Sequence, residues 1–331
     1  MKKALLVGIN DYDWAPLNGC ASDAIAMAKV LGRNYDQESN FACKVIISDR
    51  EKNHYDIEDI PVFINHDVKR SNLRKAVEEL FSDPSDVALF YFSGHGHESD
   101  MGGSLVTTDA KKYDEGVAIV DILRMANSAT HIREIILILD CCHSGQLGNL
   151  PDYENNRALL RKGISILTAS TAEQVARERN GHGVFTSVLI EGLLGGAANL
   201  IGNVTSASLY NFADKALGAF EQRPVYKSHV ISLRTIRRSE PQLTIQEIRE
   251  IPKIFPQIDH QKFLDKSYEP AIEPRDRKNE LEYKLIQKFI AASLVKPSSR
   301  DHIYYEAIEN GSCELTALGK LYWRMSKNNR I

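Results

Sequence analysis

EIILILDCCHSGQLG, residues 134–148, decides how this chain is read. Ile135 to Leu139 is an uninterrupted apolar run, the pattern of a strand buried on both faces of a parallel sheet. It ends in Asp140, Cys141, Cys142, His143, Ser144 and Gly145. In open α/β folds reactive groups gather at the carboxyl ends of strands, so a thiol followed by a small-residue turn is placed to be a nucleophile. A nucleophile needs a base, and the chain offers one at an earlier strand end. Val87 to Phe92 (VALFYF) reads as a strand and runs into Ser93-Gly94-His95-Gly96-His97. Glycines flanking His95 let the backbone turn sharply and free an N–H to approach a ligand.

Outward from these two tips, apolar runs alternate with helical periodicity. Ala4–Ile9, Cys43–Ile47 and Ile164–Leu167 are further strands, and Ser228–Leu233 is a sixth. Helices are expected from Leu17 to Leu31, with Asn18 as N-cap, and over Ser71–Phe81, Asp121–Ala129, Phe185–Leu194 and Ser206–Phe220. This order predicts an α/β fold with a roughly six-stranded, mostly parallel sheet flanked by helices. It occupies residues 1–238. A Pro-punctuated linker follows over 239–278, then a small C-terminal α+β module over 279–331. In that module a helix, a strand from His302 to Ile308, a hairpin at Asn310-Gly311 and a final helix resemble part of a winged helix.

Composition narrows the function. A net charge of −3 over 331 residues argues against a nucleic-acid protein overall. Residues 275–331 carry eleven Lys/Arg and seven Asp/Glu, which permits phosphate contacts, while packing against a regulatory protein partner or the rest of the chain fits as well. Five scattered cysteines form no disulfide framework and point to a reducing, cytoplasmic setting. The run Ala4–Ile9 is too short for a signal segment, and no stretch reaches the about 18 apolar residues of a membrane span. No P-loop or dinucleotide fingerprint indicates a nucleotide cofactor. Zinc is disfavoured because adjacent cysteines on extended backbone point in opposite directions, and His97 and His143 read as structural or rim residues.

Taken together, SGHG at one tip and DCCHSG at the next resemble the caspase-like cysteine peptidases, and among them the metacaspase branch. Other stretches are similar in family order: ALLVGIN, Gly19-Cys20-Ala21-Ser22-Asp23, Gly103-Ser104-Leu105 to Asp109, Leu167-Thr168-Ala169-Ser170, Gly183-Val184-Phe185-Thr186 and Gln222-Arg223-Pro224-Val225. The resemblance implies that Cys142 is the nucleophile and His95 its base, forming an acyl-enzyme, with Gly96 and Cys142 supplying oxyanion-hole N–H groups. Cys141 then fills a small-residue position. It also implies a specificity pocket built on Asp23 and Asp140, with Cys20 and Ser93 at pocket positions. Two carboxylates there favour cleavage after Arg, then Lys, and not after Asp. Arg157, Arg161 and Lys162, in the stretch NLPDYENNRALLRKG (149–163), become candidate self-cleavage sites. No cofactor is required; calcium is an open expectation, with Asp100, Asp109, Asp114 and Asp121 near the loops and Asn149 where an acidic ligand would be wanted. The family suggests a regulated role in stress, defence or cell death. The alternative reading is a signalling scaffold that keeps the fold and binds a partner or nucleic acid through its C-terminal module.

Overall fold

A computed structural model describes residues 1–51, 55, 60, 62–64, 68–99, 102–141, 160–169, 178–179, 182–218 and 223–331. The chain divides into two compact units, Met1–Asn199 with Asn203–Glu240, and Leu200–Gly202 with Pro241–Ile331.

The first unit opens with β1 (Lys2–Ile9), α1 (Cys20–Gly32), β2 (Phe41–Ser48), β3 (Val62–Ile64), α2 (Arg70–Ser82) and β4 (Ser85–Ser93). An antiparallel trio follows: β5 (Gly96–Ser99), β6 (Gly102–Lys111) and β7 (Asp114–Ala118). Then come α3 (Ile119–Ser128), β8 (Ile132–Asp140), β9 (Ile164–Thr168) and a short ribbon, β10 (Glu178–Arg179) with β11 (His182–Gly183). The unit closes with α4 (Val184–Glu191), β12 (Asn203–Val204), α5 (Ser206–Gly218), β13 (Val225–His229) and β14 (Arg237–Arg238).

The central sheet has seven strands in the order β13-β9-β8-β4-β1-β2-β3. All neighbours are parallel except β13, which runs antiparallel to β9. The apolar run of β8 lies inside it: Ile135 to Leu139 are each no more than 2% exposed. Alternation along β8 sends Ile135, Leu137 and Leu139 to a core shared with α2 and α3. Ile136 and Ile138 go to the opposite core, shared with α1, α4 and α5. At about 2 kcal/mol for each buried Leu or Ile, these five side chains contribute on the order of 10 kcal/mol to holding the layers together.

Three expectations for this unit are corrected. The sixth expected strand lies at Val225–His229, not Ser228–Leu233, and β3 with the β5–β7 trio adds strands that periodicity does not reveal. Asn18 does not cap α1: the N-cap is Gly19, with no side-chain cap bond, and Asn10 Oδ1 at the β1 tip accepts the Ala21 N–H at 3.2 Å instead. Helix α4 does not run on to Leu194 as α-helix; it passes into a π turn over Gly192–Gly196.

The second unit carries α6 (Ile245–Ile254), β15 (Lys262–Phe263), α7 (Arg277–Ala291), β16 (Val295–Pro297), α8 (Ile303–Ile308), β17 (Ser312–Leu315) and α9 (Ala317–Lys327). The stretch expected as a linker is thus structured. Thr244 and Glu247 close a capping box on α6, and Ile248, Ile251 and Ile254 are buried in the unit's own core. Residues 302–308 are a helix rather than a strand. Ile303, Glu306 and Ala307 are buried at helical spacing, and His302 caps the turn through Nδ1. Glu306 is fully buried because its carboxylate accepts the backbone N–H groups of Ser299, Arg300 and Ser312, which hold its pKa below the usual carboxylate range against the opposing effect of burial. The helix–hairpin–helix order expected of a winged helix is replaced by helix, strand, helix, strand, helix around the sheet β15-β17-β16.

Candidate active site

Parallel register lines up three strand tips. Gly8 pairs with Ser93, and Ser93 with Asp140. Beyond these pairs the Gly94 N–H approaches the Asp140 carbonyl at 3.4 Å. The two motifs singled out in the sequence therefore leave the sheet side by side. Cys142, next in the chain after Cys141, lies outside the described residues, as do His143, Arg157, Asp100 and Asn149. Cys141 is buried in the core on the α2–α3 face.

His95 is held by the loop that follows β1. Its Nε2 lies 2.8 Å from the Ala15 carbonyl, which can only accept, so Nε2 donates and Nδ1 carries the basic lone pair. Its ring stacks on Trp14, with centroids 4.7 Å apart and planes 26° from parallel, and is tilted against Tyr12 at 4.6 Å. The Tyr12 hydroxyl accepts the His95 N–H at 3.1 Å and donates to the Val106 carbonyl at 3.2 Å. A Cβ on Gly94 would stand 2.6 Å from that hydroxyl, which is why glycine precedes the histidine. Nothing in the sequence assigns Tyr12, Trp14 and Ala15 to the histidine, although two aromatics in a polar loop just past a strand tip are a visible signal.

The next residue, Gly96, pairs with Leu105. One step earlier the Val106 N–H bonds to the His95 carbonyl, which makes Gly96–Leu105 a non-hydrogen-bonded pair. The Gly96 N–H accordingly points away from β6.

Asp23 and Asp140 arrive from different elements, the first turn of α1 and the end of β8, and are 1% and 6% exposed. They meet at Gly183, whose ideal Cβ would lie 2.5 Å from Asp140 Oδ2 and 3.0 Å from Asp23 Oδ2. Asp23 Oδ1 accepts from His182 Nδ1 at 2.7 Å, and Oδ2 from the Gly183 N–H at 2.9 Å. Asp140 Oδ2 accepts from the Thr186 hydroxyl at 2.6 Å, which leaves the Tyr91 hydroxyl to donate to Thr186 at 2.7 Å. Burial and repulsion from Asp140 push the Asp23 pKa up to about 7; the Gly183 N–H and His182 limit the rise. Desolvation and the same two carboxylates raise the Tyr91 phenol well above its usual range. Ser93 and Cys20 are both buried, Cys20 where its carbonyl crowds Gly8. His182, Gly183 and Thr186 lie in or beside the GVFT stretch noted in the sequence, but nothing in its spacing assigned them to the two aspartates.

Arg161 has a structural duty. Its guanidinium donates to the carbonyls of Ala126, Ala129 and Ile132 at 2.8–3.1 Å, closing the end of α3, and its N–H donates to Asn127. Cleavage after Arg161 would first have to strip those bonds, whereas Lys162 is exposed in the turn before β9. Among the described residues, three carboxylates near the loops each have partners of their own. Asp109 accepts from Thr107 and the Arg70 N–H, Asp114 pairs with the Arg70 guanidinium, and Asp121 pairs with Arg74 and Arg124. Among the described residues no group of three or more His, Cys, Asp or Glu side chains could hold a metal ion. Nor is any helix among them long and apolar enough to cross a membrane.

The family model described as Caspase domain (Peptidase_C14) matches residues 1–234. Metacaspase-5 of Trypanosoma brucei brucei is 33% identical over 164 residues, covering 45% of this chain and 30% of that protein. Metacaspase-1A of Aspergillus oryzae is 27% identical over 179 residues, covering 49% and 38% respectively. The chain thus spans well under half the length of these curated relatives. The crystal structure of Caspase-1 from Spodoptera frugiperda superposes with a TM-score of 0.48 at 13% identity, covering 73% of this chain and 92% of that one.

Proposed function

The chain belongs to the caspase-domain peptidase family, and on that premise we propose that it is a cysteine endopeptidase cutting proteins after arginine and, less readily, lysine. The observation that carries the specificity is the meeting of two buried carboxylates, Asp23 and Asp140, at Gly183. A guanidinium between them would relieve both their repulsion and their desolvation, and its planar fork suits two oxygen acceptors better than an ammonium does. An acidic side chain would add further negative charge beside two buried carboxylates.

In this reading Nδ1 of His95 takes the Cys142 thiol proton, and the thiolate attacks the scissile carbonyl carbon. The oxyanion is met by the N–H groups of Gly96 and Cys142. His95 returns the proton to the leaving amine, and the C–N bond breaks to leave a thioester on Cys142. Water then attacks the thioester with His95 as base, releasing the acid and restoring the thiol. The reaction balances without a cofactor. A cytoplasmic stress, defence or cell-death role, and a protein partner for residues 279–331, belong to the same proposal.

Fluorogenic peptides carrying Arg, Lys or Asp before the scissile bond test it, with Cys142→Ala as blank and with calcium present or absent. The expected order is Arg, then Lys, with Asp uncut. Preference for Asp would overturn the pocket argument, and turnover by Cys142→Ala would overturn the nucleophile.

A further inference from the structure

We propose that His182 is a specificity-determining residue that acts through Asp23: its Nδ1–H gives that buried carboxylate a hydrogen-bond donor and aims it to receive a basic side chain. This rests on the arginine-directed reading above. The grip on Asp23 is two-handed. His182 Nδ1 holds Oδ1 at 2.7 Å while the N–H of the adjoining Gly183 holds Oδ2 at 2.9 Å, so one short strand orients the whole carboxylate. The same strand spaces the two acids, since the missing Cβ of Gly183 is what lets Asp140 and Asp23 approach together. Asp140 is served separately, by Thr186. Finally, the His182 side chain is 44% exposed over an aspartate that is 1% exposed, which makes it the surface-facing member of a buried pair.

The residue type matters. A lysine or arginine here would place a permanent cation against Asp23 and cancel the charge a substrate needs. Imidazole donates a hydrogen bond without carrying a fixed charge. An alanine would remove one of the two donors from a desolvated carboxylate, which then takes up a proton and presents no charge to a guanidinium.

The test uses the full chain and Arg, Lys and Asp peptides. His182→Ala is expected to raise KM for the Arg peptide about tenfold or more, the size of a lost donor to a buried charge. Its kcat should stay within about twofold, because the lost interaction serves binding rather than the reacting atoms. His182→Leu fills the ring's space without a donor and should behave like alanine. His182→Asn offers an N–H near the place of Nδ1 and should recover most of the KM. A wild-type KM in both His182→Ala and His182→Leu overturns the proposal, as does failure of His182→Asn to rescue with kcat falling equally in all three. Wild-type preference for a non-basic residue overturns the arginine reading and this proposal with it. Wild-type preference for Arg with an unmoved variant KM overturns this proposal alone.

Discussion

At the residue scale, the site depends on two side chains whose surroundings differ in kind. His95 is oriented by a backbone carbonyl and an aromatic wall, and Trp14 is 65% exposed, so the wall contributes little to folding. Trp14→Ala should therefore lower kcat about tenfold by loosening the ring, a modest share of what general acid–base placement is worth. Its melting temperature should hardly move; an unchanged kcat would remove Trp14 from the account. Asp23 is the opposite case, buried and with its pKa pushed up to about 7 from 3.8. Between those two values the folded state keeps a proton that the unfolded chain has lost. Asp23 therefore subtracts stability as pH rises from about 4 to about 7. The same proton competes with a substrate guanidinium, so kcat/KM for Arg peptides should fall as pH drops through about 7. Melting curves and pH–rate profiles of the wild type and Asp23→Asn check both signs. A variant that keeps the wild-type acid limb on Arg peptides would assign that limb elsewhere.

At the element scale, tight approach of backbones matters as much as side-chain packing. Gly8 in β1 faces the first turn of α1, and a Cβ there would stand 2.1 Å from the Cys20 carbonyl oxygen and 2.9 Å from the Ala21 Cα. Neither atom can swing aside. Gly8→Ala should cost about 3 kcal/mol by urea denaturation, at the upper end of overpacking penalties. A loss under roughly 0.5 kcal/mol would show that α1 shifts freely. The central strands were legible because burial on both faces writes a continuous apolar run, as in Ile135–Leu139 and Val87–Phe92. Edge and connection features were not. β13 is an edge strand ending in exposed Ser228 and His229, so its bounds carry little apolar signal, and it runs antiparallel to β9. In α8 a buried Glu306 stood where the helical period wanted an apolar residue, and the remaining alternation imitated a strand. The two strand tips were legible in the motifs, yet the aromatic cradle and the His182 contact arise only from how the loops fold back.

At the scale of the whole molecule, each unit has its own apolar core, and the surplus of cations in residues 275–331 needs to be weighed against what those cations touch. Arg275 pairs with Glu280, Lys288 with Glu247, Lys296 with Glu314, Arg300 with Glu309 and Lys320 with Asp259. Five of the eleven basic side chains are thus already answered by carboxylates within the unit, two of them contributed by residues before 275. A phosphate backbone would have to compete with each of these pairs, and the counterion-release gain that drives non-specific binding shrinks with every cation already neutralised. The counted surplus therefore overstates the field available to nucleic acid. A protein surface is the better expectation, since exposed Leu318 and Leu321 of α9 lie beside the charged positions. Fluorescence anisotropy with labelled single- and double-stranded DNA and RNA, at about 0.15 M salt, should find binding no tighter than the about 10⁻⁴–10⁻⁶ M of non-specific contacts. A tighter complex whose affinity falls steeply with salt and is lost in Arg324→Ala with Lys327→Ala would return the module to nucleic-acid recognition, and would make the last turn of α9 its contact surface.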